Sequence, residues 1–203
     1  METNRLEAFS DGVFAIAITL LIIEVAVPEG HGPLLDRLID QWPSYLAYTL
    51  SFATIGVMWA NHHNIYPLIS RPTHGLVVAN LALLLVVAFI PFPTKVLGEN
   101  LRGVAFADKR TAALFYNGTF FLMAVAYNTM WQVAAWNNRL IKRGCEGAAA
   151  AVSRVYWPGS PAYVVAIVIA FWSPVGSIIA NTVVMFLYGL PIRGLLHLQT
   201  DRA

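Results

Sequence analysis

The chain contains, near its amino terminus, the stretch LEAFSDGVFAIAITLLIIEVAV, residues 6–27, whose central positions from Val13 to Ile23 carry no charge. A bilayer core about 30 Å thick is crossed by roughly 20 helical residues, so this stretch is long enough for one span. Asp11 stands near one end of the stretch and Glu24 near the other. The stretch therefore predicts a membrane helix that has a carboxylate close to each membrane surface.

The composition of the whole chain agrees with a membrane protein. Its 203 residues are 58% hydrophobic and only 12% charged, with a mean hydropathy of +0.61. Soluble domains carry about 25% charged residues, so a water-soluble globule and a disordered chain are both excluded. The net charge of +2 is too small to indicate a nucleic-acid partner. The single Cys145 excludes an intramolecular disulfide and a cysteine-based metal cluster.

Further uncharged runs predict five more spans. The last run, from Val155 to Ile192, would form one helix about 57 Å long at 1.5 Å per residue, nearly twice the membrane thickness. The sequence Ser-Pro-Val-Gly-Ser at residues 173–177 breaks it into two. We therefore expect an all-α polytopic protein that forms one six-helix unit over residues 1–203. The predicted spans are residues 6–27, 45–66, 75–94, 111–136, 156–173 and 176–192.

The distribution of lysine and arginine predicts the orientation. With six spans both termini lie on one side of the membrane, and that side carries more of these residues than the other side, which holds Arg37, Lys95, Arg102, Lys109 and Arg110. Because positive residues are enriched in cytoplasmic loops, both termini are expected in the cytoplasm. The residues on the cytoplasmic side are Arg5, Arg71, Arg139, Lys142, Arg143, Arg154, Arg193 and Arg202.

The carboxylate of Asp11, one turn inside the first span, needs a polar partner or water. Ser10 and Asp11 either cap the helix at the membrane surface or join a polar network between helices. Candidate partners for such a network are Arg5, an indole N–H from Trp59, the side chain of Asn80 inside the third span, and His62 or its neighbour His63. The spacing of these residues leaves both interpretations open.

An apolar stripe runs along the first span. Ile16, Leu20 and Ile23 recur at i, i+4 and i+7 and so share one helix face, with Thr19 beside them. Such a stripe is compatible with lipid contact, with core packing or with the lining of a pore. Glu24 follows the stripe directly, either as a plain interfacial residue or as a carboxylate at the mouth of a pore.

The sequence does not predict an enzyme. His62 and His63 are adjacent, so they face about 100° apart on a helix and cannot chelate one metal in the i, i+4 manner. No nucleophile–base pair or metal-ligand spacing lies near a membrane face. We therefore expect no catalytic residue, no cofactor and no fixed metal.

Four motifs resemble those of a known family. Arg5-x-x-x-Phe9-Ser10-Asp11, followed by GVFAI-x-ITLL at residues 12–21, resembles the first-helix signature of the transmembrane protein 175 family of potassium channels. The sequence WANHH at residues 59–63 is similar to that family at the end of its second helix. So are FIPFPT at residues 89–94 and Gly98-Glu99 after the third helix. The resemblance covers roughly the first half of the chain and is greatest to prokaryotic members.

The resemblance implies a potassium-selective homotetramer in a prokaryotic cell membrane, with the four first helices around a central pore. It places Ile16, Leu20 and Ile23 at the narrowest part of the pore, as a hydrophobic gate, and Thr19 at the hydroxyl position that favours potassium. Glu24 would then put four carboxylates at the outer mouth and attract cations. The implied partners are further copies of the chain, membrane lipids and potassium ions in transit.

A second function stays compatible with these residues. A small secondary transporter would use Asp11 as a proton-coupling carboxylate, with Asn80 or Asn117 near its substrate. Unitary current steps indicate a channel, whereas saturable flux coupled to protons indicates a transporter.

Overall fold

The computed structural model describes residues 3–102 and 105–189, and every regular element in those ranges is helical. The prediction of an all-α fold is thereby confirmed. Two short 3-10 turns, Tyr66–Leu68 and Trp136–Asn138, follow the third and sixth helices. The helices are α1 Thr3–Ile23, α2 Leu34–Asp40, α3 Trp42–Ile65, α4 His74–Phe89, α5 Pro91–Asn100, α6 Phe106–Ala135, α7 Glu146–Tyr156, α8 Gly159–Ala170 and α9 Pro174–Gly189.

The third predicted span continues further than its sequence indicates. We expected it to end at Thr94, but α4 is followed after Ile90 by α5, which runs to Asn100. Proline has no N–H and a fixed φ, both of which suit the first turn of a helix, so Pro91 begins α5 as readily as it ends α4. The amide of Ile90 donates to the carbonyl of Val87 at 3.2 Å, which closes the last turn of α4.

The last two predicted spans are shorter in the structure. α8 begins only after Pro158 and has 12 residues, while α9 has 16. At 1.5 Å per residue these helices are about 18 and 24 Å long, less than a 30 Å bilayer core. Residues 190–192 of the predicted sixth span lie outside the described residues. By length and apolar character, Thr3–Ile23 and His74–Asn100 are the two stretches of the described chain that qualify as membrane-crossing helices.

Helix α6 forms the centre of the bundle and contacts α4, α5, α8 and α9. Its Phe120, Met130 and Trp131 are fully buried, and the indole N–H of Trp131 donates to the hydroxyl of Ser153 in α7 at 2.8 Å. By contrast, α1 packs mainly against α3 and α4. The first helix therefore lies at one edge of the bundle, with one face covered by its neighbours.

Helices α3 and α5 approach each other closely at Gly98. A Cβ at this position would lie 2.9 Å from both the Cα and the Oγ of Ser44. Side-chain carbons do not reach backbone carbons at that distance, so only glycine lets the two helices pack in this way. This contact fixes the position of α5, which carries Lys95 towards the end of α1.

Candidate functional site

Helix α1 has one face that is packed inside the protein. Its buried side chains recur every three or four residues, as expected for one stripe of an α-helix. They are Leu6, Ser10, Phe14, Ala17 and Leu21. Four of the five are apolar, so this face is a conventional helix-packing surface with a single hydroxyl in it.

The predicted apolar stripe lies away from the packed face. Ile16 is 60% exposed, Leu20 is 40% exposed and Ile23 is 71% exposed. Thr19 is exposed beside them, and its hydroxyl donates to the carbonyl of Ile16 at 2.8 Å. Because the hydroxyl proton is used in this bond, the oxygen presents its remaining lone pairs outward as an acceptor. No other described helix of the chain covers this stripe.

A buried chain of polar side chains joins α1 to α4 and α3. The hydroxyl of Ser10 donates to the carbonyl of Leu6 at 2.9 Å and accepts from the amide of Asn80, also at 2.9 Å. The Oδ1 of Asn80 lies 2.9 Å from Nε2 of His62, so the imidazole donates from Nε2. All three side chains are fully buried. His62 packs between the rings of Phe14 and Tyr66, with centroid distances of 5.3 and 4.6 Å.

A second set of contacts holds the start of α1 to the end of α3. The indole N–H of Trp59 donates to Oδ1 of Asp11 at 2.9 Å, and the Trp59 ring stacks on His63. Nδ1 of His63 lies 2.8 Å from Oε1 of Glu7, a pair that the sequence did not suggest. Arg5 is exposed and forms no hydrogen bond or ion pair with the described residues, so the structure does not place it in the network.

Glu24, directly after α1, forms an ion pair. Its Oε2 lies 3.2 Å from Nζ of Lys95 in α5, and both side chains are partly exposed. The sequence analysis did not identify Lys95 as a partner. The sequence offered one indication that Lys95 needs a partner, since it is the one lysine or arginine between Arg71 and Arg102.

Two further polar clusters lie in the interior and were also missed. The hydroxyl of Ser51 lies 2.7 Å from that of Thr94 and 3.0 Å from that of Tyr116. Thr94 in turn donates to the carbonyl of Ile90, between α4 and α5, at 2.8 Å. The second cluster joins α6 to α9 by hydrogen bonds among Asn117, Ser177 and Asn181. Each polar group is satisfied by another helix, as buried polar groups require.

The described part of the chain holds no cluster of three or more histidine, cysteine, aspartate or glutamate side chains that could bind a metal. Glu7, Ser10 and Asp11 of α1 are each used in a contact with α3 or α4. Helix α1 therefore has an uncovered apolar stripe and, on another side, a packed face that is mostly apolar and is held to its neighbours by a few polar contacts.

Comparison with known proteins identifies relatives across nearly the whole chain. A family model described as "Endosomal/lysosomal potassium channel TMEM175" matches residues 5–91. A potassium channel of Chamaesiphon minutus is 43% identical over 183 residues, covering 86% of this chain and 89% of the relative. A potassium channel of Streptomyces collinus is 39% identical over 193 residues, covering 93% and 92%.

A solved structure has the same architecture. The crystal structure of a lysosomal potassium-selective channel TMEM175 homolog from Chamaesiphon minutus superposes with a TM-score of 0.83 at 40% identity. The match covers 93% of this chain and 96% of that one. The likeness thus extends through the second half of the chain, where the sequence motifs gave no resemblance.

Proposed function

Since the chain belongs to the TMEM175 family, we propose that it is a potassium-selective channel of a prokaryotic cell membrane. The resemblance of its first-helix motif is confirmed by relatives at 43% and 39% identity, both bacterial proteins named as potassium channels. Channels are not enzymes, and the prediction that this chain is not an enzyme is confirmed with the family. The matches cover most of the chain, so the proposal concerns the whole of it.

The proposed topology has six spans with both termini in the cytoplasm. α1, α3, α6, α8 and α9 each provide one span, and α4 with α5 together provide another. α8 is short for a 30 Å core, and the exposed Trp157 and Trp172 at its two ends are the amphipathic residues that lie at membrane surfaces. The excess of lysine and arginine at one end of the bundle supports the orientation.

The observation that carries the proposal is the uncovered apolar face of α1. One copy of α1 cannot enclose a path, and the chain has no second copy of the Phe-Ser-Asp motif. Four copies around an axis would cover the face and leave a channel between them. The purified protein should then have four times the 22.3 kDa mass of the chain in detergent, measured by light scattering. A monomer under all mild detergent conditions would contradict this assembly.

The proposed gate is the stripe of Ile16, Leu20 and Ile23. It extends about 10 Å along the helix axis, which is several water diameters. A ring of four branched apolar side chains at each level expels water, and an ion cannot pass without its hydration shell. Opening requires the four α1 helices to rotate or separate until water enters the stripe.

Thr19 is the proposed selectivity residue because it carries the one side-chain oxygen at the depth of the stripe. Its bond to the Ile16 carbonyl turns the lone pairs of the oxygen outward, where four copies can partly replace the water around a cation. Glu24 stands at the outer mouth, but its pairing with Lys95 offsets its charge. The attraction of cations to the mouth is therefore weaker than four free carboxylates would give.

The polar network gives α1 a fixed position against α3 and α4. A gate of this kind works only if the stripes of the four subunits meet at one level. Ser10, Asn80 and His62 fix the depth of α1, and Asp11 with Trp59 fixes its rotation. We assign these residues a structural role in the channel.

A planar-bilayer recording of the purified protein tests the proposed function. With potassium on one side and sodium on the other, a channel gives unitary current steps and a reversal potential near that of potassium. A potassium flux that shows no unitary steps, saturates with substrate concentration and follows a proton gradient would contradict the channel. It would support the transporter instead. Bilayers that received the same detergent and an unrelated membrane protein serve as the control.

A further inference from the structure

An open groove of about 760 Å³ lies at the end of the bundle where α1 begins and α3 ends. The first turn of α1 forms one wall with Thr3, Asn4 and Glu7. The segment after α3 forms the other wall, together with Lys142 from the loop after α6. The polar network, the gate stripe and the mouth do not include this groove.

Backbone hydrogen bonds join the two segments that line the groove, the one after α3 and the one after α6. The amide of Ser70 donates to the carbonyl of Leu140 at 2.7 Å, and the amide of Lys142 donates to the carbonyl of Leu68 at 2.8 Å. The hydroxyl of Ser70 adds a bond to the same Leu140 carbonyl at 3.0 Å. This bridge holds the backbones that carry Arg71 and Lys142 side by side.

The groove contains more positive charge than negative charge. Arg71 and Lys142 are exposed, and neither forms an ion pair or a side-chain hydrogen bond with the described residues. The carboxylate in the lining, that of Glu7, is paired with His63 at 2.8 Å. A ligand in the groove therefore meets two free cations and a carboxylate that is already occupied.

The surroundings of the groove point to a lipid as the source of the anion. Phe9 follows Glu7 by two residues in α1, and Trp136 stands at the end of α6, before the loop that carries Lys142. Both are large, apolar and more than half exposed, as side chains at the level of lipid headgroups are. At the end of the bundle that holds the groove, the described residues include more cationic side chains than carboxylates. The carboxylates are Glu7, Asp11 and Glu146. The cations are Arg5, Arg71, Arg139, Lys142, Arg143 and Arg154.

We propose that this groove binds the phosphate group of an anionic phospholipid, with Arg71 and Lys142 as its ligands. A guanidinium binds phosphate oxygens through two parallel hydrogen bonds, and an ammonium adds a compact charge beside it. Basic pockets between membrane helices on the cytoplasmic side are suited to such headgroups. Tyr66 lines the groove, and its ring packs on that of His62 with the centroids 4.6 Å apart. Only the Tyr66 ring therefore separates a bound lipid from His62 and the polar network that holds α1.

Lipid retention measured by native mass spectrometry tests the site. The protein in detergent is titrated with phosphatidylglycerol and, separately, with phosphatidylcholine. The double variant Arg71→Gln with Lys142→Gln should bind phosphatidylglycerol about tenfold more weakly, since each cation near a membrane surface contributes to the affinity. Its binding of phosphatidylcholine should not change.

A charge-matched control separates the groove from the general positive charge of this end. Arg143→Gln with Arg154→Gln removes the same charge from exposed positions outside the groove and should retain phosphatidylglycerol. Arg71→Lys with Lys142→Arg keeps both charges and should also retain most of the binding. Size-exclusion profiles check that all variants are folded.

Three results would overturn the proposal. The groove variant could retain the lipid as the wild type does, or the control could lose it to the same extent. Inorganic phosphate could bind while phosphatidylglycerol does not, which would make the groove a site for a free anion. None of these measurements uses current, so the absence of potassium current would contradict the proposed function and leave this site intact.

Discussion

Asp11 illustrates how one side chain can have two functional interpretations that its contacts distinguish. A proton-coupling carboxylate needs a path for protons, whereas a structural one needs a fixed partner. The indole N–H of Trp59 lies 2.9 Å from the carboxylate, and the Trp59 ring is itself stacked on His63. These contacts favour a structural role for Asp11 in holding α1 against α3.

The variant Asp11→Ala should therefore lower the stability of the protein. It leaves the Trp59 indole without its acceptor, a loss of about 1–3 kcal/mol for a hydrogen bond to a charged group. Thermal unfolding in detergent measures the effect, with Glu29→Ala as a control that removes an exposed carboxylate. The double variant Asp11→Ala with Trp59→Phe should be little less stable than either single variant, because each substitution removes the same hydrogen bond.

The transporter interpretation predicts a different outcome for the same variant. If Asp11→Ala unfolds at the wild-type temperature and loses only the proton dependence of potassium flux, Asp11 is a coupling residue. The network would then be incidental to the position of α1.

Thr19 carries the proposed preference for potassium. Replacing it with valine keeps the shape of the side chain and removes the oxygen, so the apolar stripe becomes continuous. The reversal potential under a potassium/sodium gradient should shift towards zero in Thr19→Val. Thr49→Val, which removes an exposed hydroxyl bonded to its own helix at Tyr45, is the matched control and should leave the potential unchanged. An unaltered potential in Thr19→Val would exclude this hydroxyl from selectivity.

Among the helices, α5 shows what a sequence pattern can and cannot indicate. The sequence predicts a third span that ends at Thr94, just after Pro91 and Pro93, because proline interrupts helices. The structure shows that Pro91 starts a new helix instead. Beside this junction, the hydroxyl of Ser51 forms hydrogen bonds with the hydroxyls of Thr94 and Tyr116. Which of the two occurs depends on contacts with other helices, such as that of Thr94 with Ser51, 43 residues earlier, so local pattern alone does not determine it.

The close contact of α5 with α3 should be sensitive to one methyl group. In Gly98→Ala the new Cβ would lie 2.9 Å from Ser44 Cα, so the helices must separate. We expect a loss of about 1–3 kcal/mol, as for other overpacked sites, measured by thermal unfolding. Gly118→Ala in α6 is the control, since its Cβ would meet nothing within 4 Å. Equal unfolding temperatures for both variants would contradict the packing of α3 on α5.

At the level of the whole molecule, the apolar runs of the sequence were sufficient to predict an all-helical membrane fold. Bilayer thickness determines how long such a run must be. The runs at residues 6–27, 45–66 and 111–136 fall on α1, α3 and α6, whereas the third continues through α5 to Asn100 and the last two correspond to the shorter helices α8 and α9.

Some polar contacts of α1 were also predictable, because a polar side chain in a membrane helix needs a polar partner. The candidates were Arg5, Trp59, Asn80 and His62 or His63; in the structure Asn80 bonds to Ser10, His62 to Asn80 and Trp59 to Asp11, whereas Arg5 forms no such contact.

Pairings that depend on three-dimensional register could not be predicted. Lys95 reaches Glu24 because Gly98 lets α5 approach α3, and His63 reaches Glu7 because the start of α1 lies against the end of α3. Arg5 is part of the first-helix motif and yet lies exposed. Nothing in the spacing of these residues indicates which of them meet.

The assembly of four chains around α1 is the central claim, and potassium current through gate variants tests it most directly. Ile16→Asn should let water enter the stripe and increase the current through reconstituted protein several-fold. Ile22→Asn is the matched control. Ile22 is 56% exposed, close to the 60% exposure of Ile16, but it lies on another side of α1. A larger current in Ile16→Asn than in Ile22→Asn is the predicted result. Equal currents in two correctly assembled variants would contradict a pore along this face of α1.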